Sequence, residues 1–137
     1  MNEDLGKLIA YRLDQAGETL EAARDLLAAG HYRDAVNRGY YTMFYCGLAL
    51  LASKGLGTSK HSGVLSLFSK HFVKTGIFSA EEGRHLREAF ELRQGSDYRE
   101  FVQVTPDQAQ DTVARAGTFL THTRQVLLDS DRPSSDQ

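Results

Sequence analysis

One arginine occupies a position where helical spacing predicts a hydrocarbon side chain. Arg93 follows Leu86 by seven residues and Phe90 by three, which puts it on the apolar stripe of a predicted helix. A charge on such a stripe is costly unless it is paired or faces a cleft. Asp97 and Tyr98 follow within five residues. This group can bind phosphate, or it can form a structural ion pair that fastens the loop, and the residues alone favour the ion pair.

A second candidate site opens a predicted short helix at Ser59–Gly63. Free backbone N–H groups and the helix dipole favour an anion there, and Lys60 and His61 add charge and donors. Capping of the helix by Ser59 or Ser62 is the more common use of such residues. The segment has neither the glycine pattern of a dinucleotide-binding fold nor the Gly-Lys-Ser/Thr of a P-loop. Any phosphate site here is therefore of another kind.

A third group follows one face of the most apolar helix. Arg38, Tyr41, Tyr45 and Leu48 lie at a spacing of three, four and three residues, so they share that face. Tyrosines in such a position are more often part of a core, with the hydroxyl tethered, than a platform for stacking bases. Arg38 and Tyr41 are kept as candidates for ligand binding.

Charge is distributed unevenly along the chain. The chain has a net charge of −2, yet no acidic residue lies between Asp34 and Glu81, a span with five basic residues, namely Arg38, Lys54, Lys60, Lys70 and Lys74. The overall balance gives no globally basic surface for nucleic acid, so any site for a polyanion must be local. The alternative is that a buried helix excludes charge and leaves lysines at helix ends and on a solvated face. Both interpretations remain open.

Metal and hydrolase chemistry is poorly supported. The single thiol, Cys46, excludes an intramolecular disulfide and a multi-cysteine metal site, and its apolar neighbours predict a small buried side chain. The chain has no His-Glu-x-x-His and no Gly-x-Ser-x-Gly, and its histidines are not spaced to place two ligands on one helix face. We expect no metal and no cofactor. Apart from His61, the histidines are predicted to face solvent or to cap helices, namely His31, His71, His85 and His122.

The length of 137 residues, with 41% hydrophobic and 25% charged residues, predicts one globular domain. The longest uncharged stretch, Gly39 to Ser53, has 15 residues, whereas a membrane span needs about 20. The acidic opening residues do not resemble a secretory signal. We therefore expect no transmembrane helix and a cytoplasmic location.

The elements that position these residues are predicted to be all helical, because the only prolines, Pro106 and Pro133, interrupt no apolar pattern. A long amphipathic helix is predicted to end at Gly30, and a central helix apolar on nearly every face runs from about Tyr32 to Lys54. The first of these carries one apolar stripe, composed of Ile9, Leu13, Ala16, Leu20, Ala23 and Leu27.

A third helix is predicted to end near Gly76, and a fourth to begin at Ser79 with a capping box and to fail near Gly95. Residues 96–104 show no helical period. Thr105-Pro106-Asp107-Gln108 predicts the start of a fifth helix, with a second apolar stripe composed of Ala109, Val113, Ala116, Leu120, Thr123 and Leu127. We expect an up-and-down bundle of about five helices over residues 1–129, followed by a disordered tail at 130–137.

Three ordered motifs together resemble the HEPN superfamily, and most closely its small stand-alone prokaryotic members. They are Asn37-Arg38-x-Tyr40-Tyr41-x-x-Phe44-Tyr45, Lys60-His61-Ser62-Gly63-Val64 with Phe68 and Phe72-Val73, and Arg93-x-x-x-Asp97-Tyr98. The resemblance implies a helical bundle, usually a homodimer, often encoded beside a minimal nucleotidyltransferase as a toxin–antitoxin pair.

The resemblance also implies metal-independent ribonuclease activity in many members, through an arginine followed after four to six residues by a histidine in a dimer cleft. Arg93 matches the arginine, but Tyr98 stands in the place of the histidine. In one branch of the superfamily a tyrosine near this motif is modified. The equivalent position in this chain is Glu100, so the resemblance does not assign the role of a modified residue to Tyr98. A phenol with a pKa of about 10 is a poor proton shuttle near neutral pH, whereas it can still help to hold phosphate.

The sequence therefore favours a dimeric HEPN bundle that binds nucleotide or RNA, paired with a nucleotidyltransferase and without strong catalysis. The first alternative is a ribonuclease toxin that uses Arg93 with Tyr98 or His61 as the proton carrier. The second is a non-catalytic helical scaffold, suggested by the two matched apolar stripes.

Overall fold

The computed structural model describes residues 3–98 and 103–130, with the backbone alone for residues 96–98. It contains the helices α1 (Glu3–Ala28), α2 (Tyr32–Ser53), α3 (His61–Phe68), α4 (Ala80–Tyr98) and α5 (Pro106–Ser130), and a π-helical turn (Ser69–Val73) that continues α3. No strand occurs in these residues. The all-α prediction is confirmed, whereas the predicted tail from residue 131 onward lies outside the described residues.

The second helix is the centre of the bundle, as its uniform apolarity predicts. It contacts α1, α3, α4 and α5, and most of its side chains from Ala35 to Ala52 are buried. Cys46 is fully buried in this helix, and burial raises the pKa of its thiol to about 12. The thiol is therefore a small core side chain and not a reactive nucleophile.

The two matched stripes pack within the chain. The α5 stripe is buried along its whole length, and the α1 stripe is buried or half-buried, while α1 and α5 contact each other as well as α2. The two helices are antiparallel: the Arg124 guanidinium lies beside Gly17, and that of Arg24 lies beside Gly117. Both stripes therefore pack within one bundle. The matched stripes, which suggested the scaffold alternative, do not form an exposed surface for a partner.

The predicted helix boundaries are confirmed where a glycine or a capping box marks them. Gly30 and Gly76 adopt φ values of 81° and 83°, the left-handed conformation that favours glycine after a helix. The Ser79–Glu82 pair forms both reciprocal hydrogen bonds of a capping box at 2.9 and 3.0 Å. Thr105 and Gln108 do the same at 3.0 and 3.1 Å, and α5 begins at Pro106 as predicted.

The third helix ends near Gly76 as predicted, but its α-helical part ends at Phe68 and the last residues, to Val73, form the π-helical turn. The expectation about the end of the fourth helix is wrong. This helix does not fail near Gly95 but runs to Tyr98, so residues 96–98 are helical. A glycine costs a helix only about 1 kcal/mol relative to alanine, and a helix end need not carry an apolar stripe to keep its backbone hydrogen bonds.

The fourth and fifth helices are joined by a hydrogen bond between side chains that the local sequence pattern does not reveal. The Nδ1 atom of His122 lies 2.6 Å from Oε2 of Glu82, and the imidazole packs on Phe78 with 4.2 Å between ring centroids. The expectation that His122 faces solvent or caps a helix is therefore wrong, because its partner lies 40 residues away. Glu82 serves both this pair and the capping box.

Among the described residues, no helix combines the length and the apolarity that crossing a lipid bilayer requires.

The close approach of α2 and α5 depends on Gly39. A Cβ atom at this position would lie 3.0 Å from Cγ2 of the buried Thr112 and 3.5 Å from its carbonyl oxygen. We predict that Gly39→Ala lowers the free energy of unfolding by about 1–2 kcal/mol, since overpacking outweighs the gain of up to about 1 kcal/mol in helix propensity. Urea denaturation followed by circular dichroism measures the change.

Gly6→Ala is the control, because outside its chain neighbours and the adjoining helix backbone no atom lies within 4 Å of the added Cβ. It should leave stability unchanged or raise it slightly. Equal changes in the free energy of unfolding for the two variants would show that the contact between α2 and α5 at Gly39 can accommodate an added methyl group.

Candidate functional site

Two helices bring four of the predicted site residues to one open cleft of about 570 Å³. The start of α3 and the loop before it supply one wall, and the C-terminal part of α4 supplies the other. The cleft is lined by Ser59, Lys60, His61, Ser62, Phe90, Arg93 and Gln94. Residues that are 30 positions apart in the sequence therefore face a common space.

Arg93 packs against two aromatic rings of α2. Its guanidinium carbon lies 5.7 Å from the ring centroid of Tyr40 and 5.2 Å from that of Tyr41. A guanidinium at this distance from a ring face gains about 0.5–2 kcal/mol, depending on how far it is desolvated. The apolar stripe of α4 thus meets ring faces at this point, and the half-buried charge also borders the cleft. The odd placement of Arg93 has a physical explanation.

Tyr41 also contacts a second guanidinium. The guanidinium carbon of Arg38 lies 5.0 Å from the Tyr41 centroid, and Nε and Nη2 of Arg38 donate to Oδ1 of Asn37 at 3.0 and 2.7 Å. Asn37 therefore helps to fix the direction of Arg38. The Tyr41 ring therefore contacts both Arg38 and Arg93. Through this shared ring, the predicted candidates Arg38 and Tyr41 lie next to the cleft.

The imidazole of His61 is held in place on two sides. Its Nδ1 atom lies 2.9 Å from the hydroxyl of Tyr40, and its ring stacks on Phe44 with 4.2 Å between centroids and an interplanar angle of 21°. Burial is the larger cause that lowers the pKa of His61, and repulsion from Arg93 is the smaller one. Burial raises the pKa of the fully buried Tyr40 well above its usual value. Both groups are therefore uncharged at neutral pH.

Lys60 is the N-cap residue of α3, and its side chain makes no capping hydrogen bond. The backbone N–H of Lys60 binds Oγ1 of Thr58 at 3.3 Å. The alternative in which Ser59 or Ser62 caps this helix is thus not what the structure shows, since neither is the N-cap residue. Both serines instead line the cleft.

The structure brings together part of the basic span. Arg38 and Lys60 lie at or beside the cleft, but the other three lysines do not line it. Lys54 is exposed at the end of α2 with its ammonium 5.3 Å from the Phe72 centroid, and Lys70 and Lys74 are exposed around the π-helical turn. The three exposed lysines fit the explanation by helix ends and solvated faces, whereas a polyanion site at Arg38 and Lys60 stays a prediction.

Asp97 and Tyr98 belong to the last turn of α4, but their side chains lie outside the described residues. Their roles stay predictions. A grouping of three or more histidine, cysteine, aspartate or glutamate side chains able to hold a metal does not occur in the described part of the chain.

A second depression of similar volume lacks this chemistry. This groove between α1 and α5 is lined by Arg24, His122 and mostly small or polar residues of α5, with no aromatic side chain other than the imidazole. The combination of cations with aromatic rings, and not the size, distinguishes the cleft at Arg93 from this groove.

Comparison with known proteins agrees with this arrangement of motifs. The model of the HEPN domain matches residues 9–126. The chain belongs to the HEPN domain family. Its relatives include a "UPF0332 protein" of Thermotoga maritima, 41% identical over 132 residues, an alignment that covers 96% of this chain and 99% of the relative.

Two further relatives come from Methanocaldococcus jannaschii. "Putative toxin MJ0142" is 37% identical over 125 residues, covering 91% of this chain and 82% of the relative. "Putative toxin MJ0605" is 33% identical over 129 residues, covering 94% of this chain and 96% of the relative. The resemblance found from the three sequence motifs is confirmed at the level of the family.

Sequence reasoning missed Tyr40 as a site residue. Tyr40 is the buried neighbour of Tyr41, binds His61 and touches Arg93. The only sequence signal was its place in the Asn-Arg-x-Tyr-Tyr motif, because helical spacing put Tyr41 and not Tyr40 on the same face as Arg38.

We predict that Tyr40→Phe lowers the free energy of unfolding by about 1 kcal/mol, the usual net value of a hydrogen bond, because it removes the partner of His61 Nδ1. Chemical denaturation at pH 7.5 measures the loss. Tyr45→Phe is the matched control on the same helix, where the structure shows ring contacts with Tyr41 and Phe44. A Tyr40→Phe variant as stable as the control would mean that this hydrogen bond contributes nothing.

Proposed function

We propose that this HEPN-family protein binds a nucleotide or RNA as one component of a toxin–antitoxin-type pair with a minimal nucleotidyltransferase. The observation that carries the proposal is the cleft in which Arg93, Lys60 and His61 meet beside the rings of Tyr40 and Tyr41. The protein acts as a homodimer in this proposal, which the resemblance suggests. The toxin names of two relatives support the pairing.

Electrostatics supports a phosphate-bearing ligand. The chain is slightly acidic overall, with a net charge of −2, whereas the cleft collects cationic side chains from α3 and α4, with Arg38 of α2 nearby. A concave surface with charge of one sign concentrates field lines and attracts an oppositely charged ligand. Phosphate contacts of this kind give affinity without sequence selectivity.

The aromatic content of the site supports a nucleotide in particular. Tyr41 and Phe90 lie beside Arg93 and the cleft, and aromatic rings next to guanidinium groups are typical of surfaces that bind single-stranded nucleic acid. A simple anion would need the cations alone. The rings therefore favour a ligand that carries both phosphate and base.

We predict that Arg93→Gln weakens binding of labelled single-stranded RNA and of ATP at least about tenfold, since a charged hydrogen bond and its long-range attraction are both lost. Fluorescence anisotropy at two salt concentrations measures it, and the wild type should lose affinity as salt rises.

Arg87→Gln is the matched control, because Arg87 is an exposed arginine of the same helix that does not line this cleft. The proposal is wrong if the wild type binds neither ligand, or if the two substitutions weaken binding equally.

One observation favours a ribonuclease as the second candidate. His61 supplies an uncharged imidazole at the cleft that Arg93 also lines, although it belongs to a different helix from the one that the family motif uses. An uncharged imidazole can accept the proton of a ribose 2′-hydroxyl as its oxygen attacks phosphorus, and can return that proton to the 5′-oxygen as the bond from phosphorus to this oxygen breaks. A guanidinium can stabilise the negative charge on the phosphoryl oxygens.

Under the binding proposal, purified protein incubated with transfer and messenger RNA in the presence of EDTA leaves both intact. Gel electrophoresis after a long incubation is the measurement. Cleavage by the wild type that disappears in both Arg93→Gln and His61→Gln, but persists in the exposed-site control His31→Gln, would establish the ribonuclease instead.

A further inference from the structure

The two contacts of His61 leave one ring nitrogen for a ligand. Nδ1 is occupied by the hydroxyl of Tyr40, and one face of the ring is covered by Phe44. His61 nevertheless lines the cleft and is only half-buried. Nε2 is therefore the polar atom of this side chain that remains to contact a molecule bound in the cleft.

The hydroxyl of Tyr40 suits either charge state of the imidazole. A tyrosine hydroxyl both donates and accepts, so it can donate to Nδ1 of the neutral ring or accept from N–H at Nδ1 of the imidazolium. Because Tyr40 is fully buried, its position hardly varies. The ring orientation can thus be kept while His61 gains or loses a proton.

Several groups face His61. Tyr40 and Tyr41 of α2 lie 5.9 and 5.7 Å from it between ring centroids, and Arg93 of α4 acts on it electrostatically. Lys60 precedes it in the chain and lines the same cleft. In the empty cleft the cationic neighbour opposes a second positive charge. A ligand that brings negative charge next to Nε2 offsets this repulsion and favours the protonated ring.

We propose that the cleft is specific for a terminal phosphate monoester, as in a nucleoside monophosphate or a phosphorylated RNA end, and that His61 takes up a proton when this group binds. Nε2–H of the resulting imidazolium donates to the phosphate beside Arg93. This inference rests on the proposed function and names the part of the ligand that the cleft recognises.

The number of charges on the phosphate decides between the possible ligands. An internal phosphodiester carries one negative charge, so it stabilises an imidazolium beside the cations Arg93 and Lys60 only weakly. A monoester carries up to two near neutral pH, since its second pKa is about 6. The second charge draws a proton to the imidazole and is the physical basis of discrimination.

The test is an NMR titration of the histidine Cε1–H signals from pH 5 to 8.5, with protein alone, with 5′-AMP and with 3′,5′-cyclic AMP, a phosphodiester of the same nucleoside. The His61 signal is assigned by its loss in His61→Gln. With 5′-AMP its titration midpoint should rise by at least about one pH unit, which by linkage corresponds to about tenfold tighter binding to the protonated form. With cyclic AMP the midpoint should hardly move.

The exposed His31 is an internal control in the same spectra and should not respond to either nucleotide. If 5′-AMP binds in an Arg93-dependent manner while the His61 midpoint stays fixed, or if cyclic AMP moves it equally, the inference is wrong and the proposed function survives. If neither nucleotide nor RNA binds, both are wrong.

Discussion

The site depends on a guanidinium resting against two tyrosine rings. Arg93 is a half-buried charge on the inward-facing side of α4, and the ring faces of Tyr40 and Tyr41 provide surroundings that hydrocarbon side chains would not. This contact couples α4 to α2 at the edge of the core. It also fixes the guanidinium where α3 begins, so that His61 and Lys60 share its cleft. If the two rings were aliphatic, the charge would be pushed toward solvent and the cleft would lose its shape.

The central helix can provide these rings because neighbours surround it. Consecutive residues of an α-helix point about 100° apart, so Tyr40 enters the core while Tyr41 stays at its boundary. Tyr40 therefore positions His61, and Tyr41 contacts the guanidiniums of Arg38 and Arg93. Two identical residues side by side serve different purposes for a geometric reason. The tight packing that makes this possible requires Gly39 one residue earlier, against Thr112.

The helices were predictable because their determinants are local. Apolar stripes, two capping boxes and glycines with positive φ lie within a few residues of the structure that they specify. Contacts between distant residues were not predictable in this way. The hydrogen bond of Glu82 with His122 and that of Tyr40 with His61 join residues 40 and 21 positions apart, and no spacing rule connects them. The sequence suggested that Arg93 and the segment around His61 were each unusual, but only the packing of α3 and α4 on α2 shows that they belong to one site.

The position of the His61 imidazole helps to distinguish a role in ligand binding from a role in catalysis. The His61 ring is restrained at Nδ1 by the hydroxyl of Tyr40 and on one face by Phe44. Burial and Arg93 also lower its pKa, which makes it a weaker base than a solvated imidazole. Cleavage of RNA requires a proton to be removed from one oxygen and another to be delivered to the leaving oxygen, and a single weak base performs both tasks poorly. A restrained ring with one accessible nitrogen suits recognition of a phosphate, since a donor fixed in advance loses little entropy on binding. The same features that would weaken His61 as a catalyst therefore suit the binding role that we propose for it.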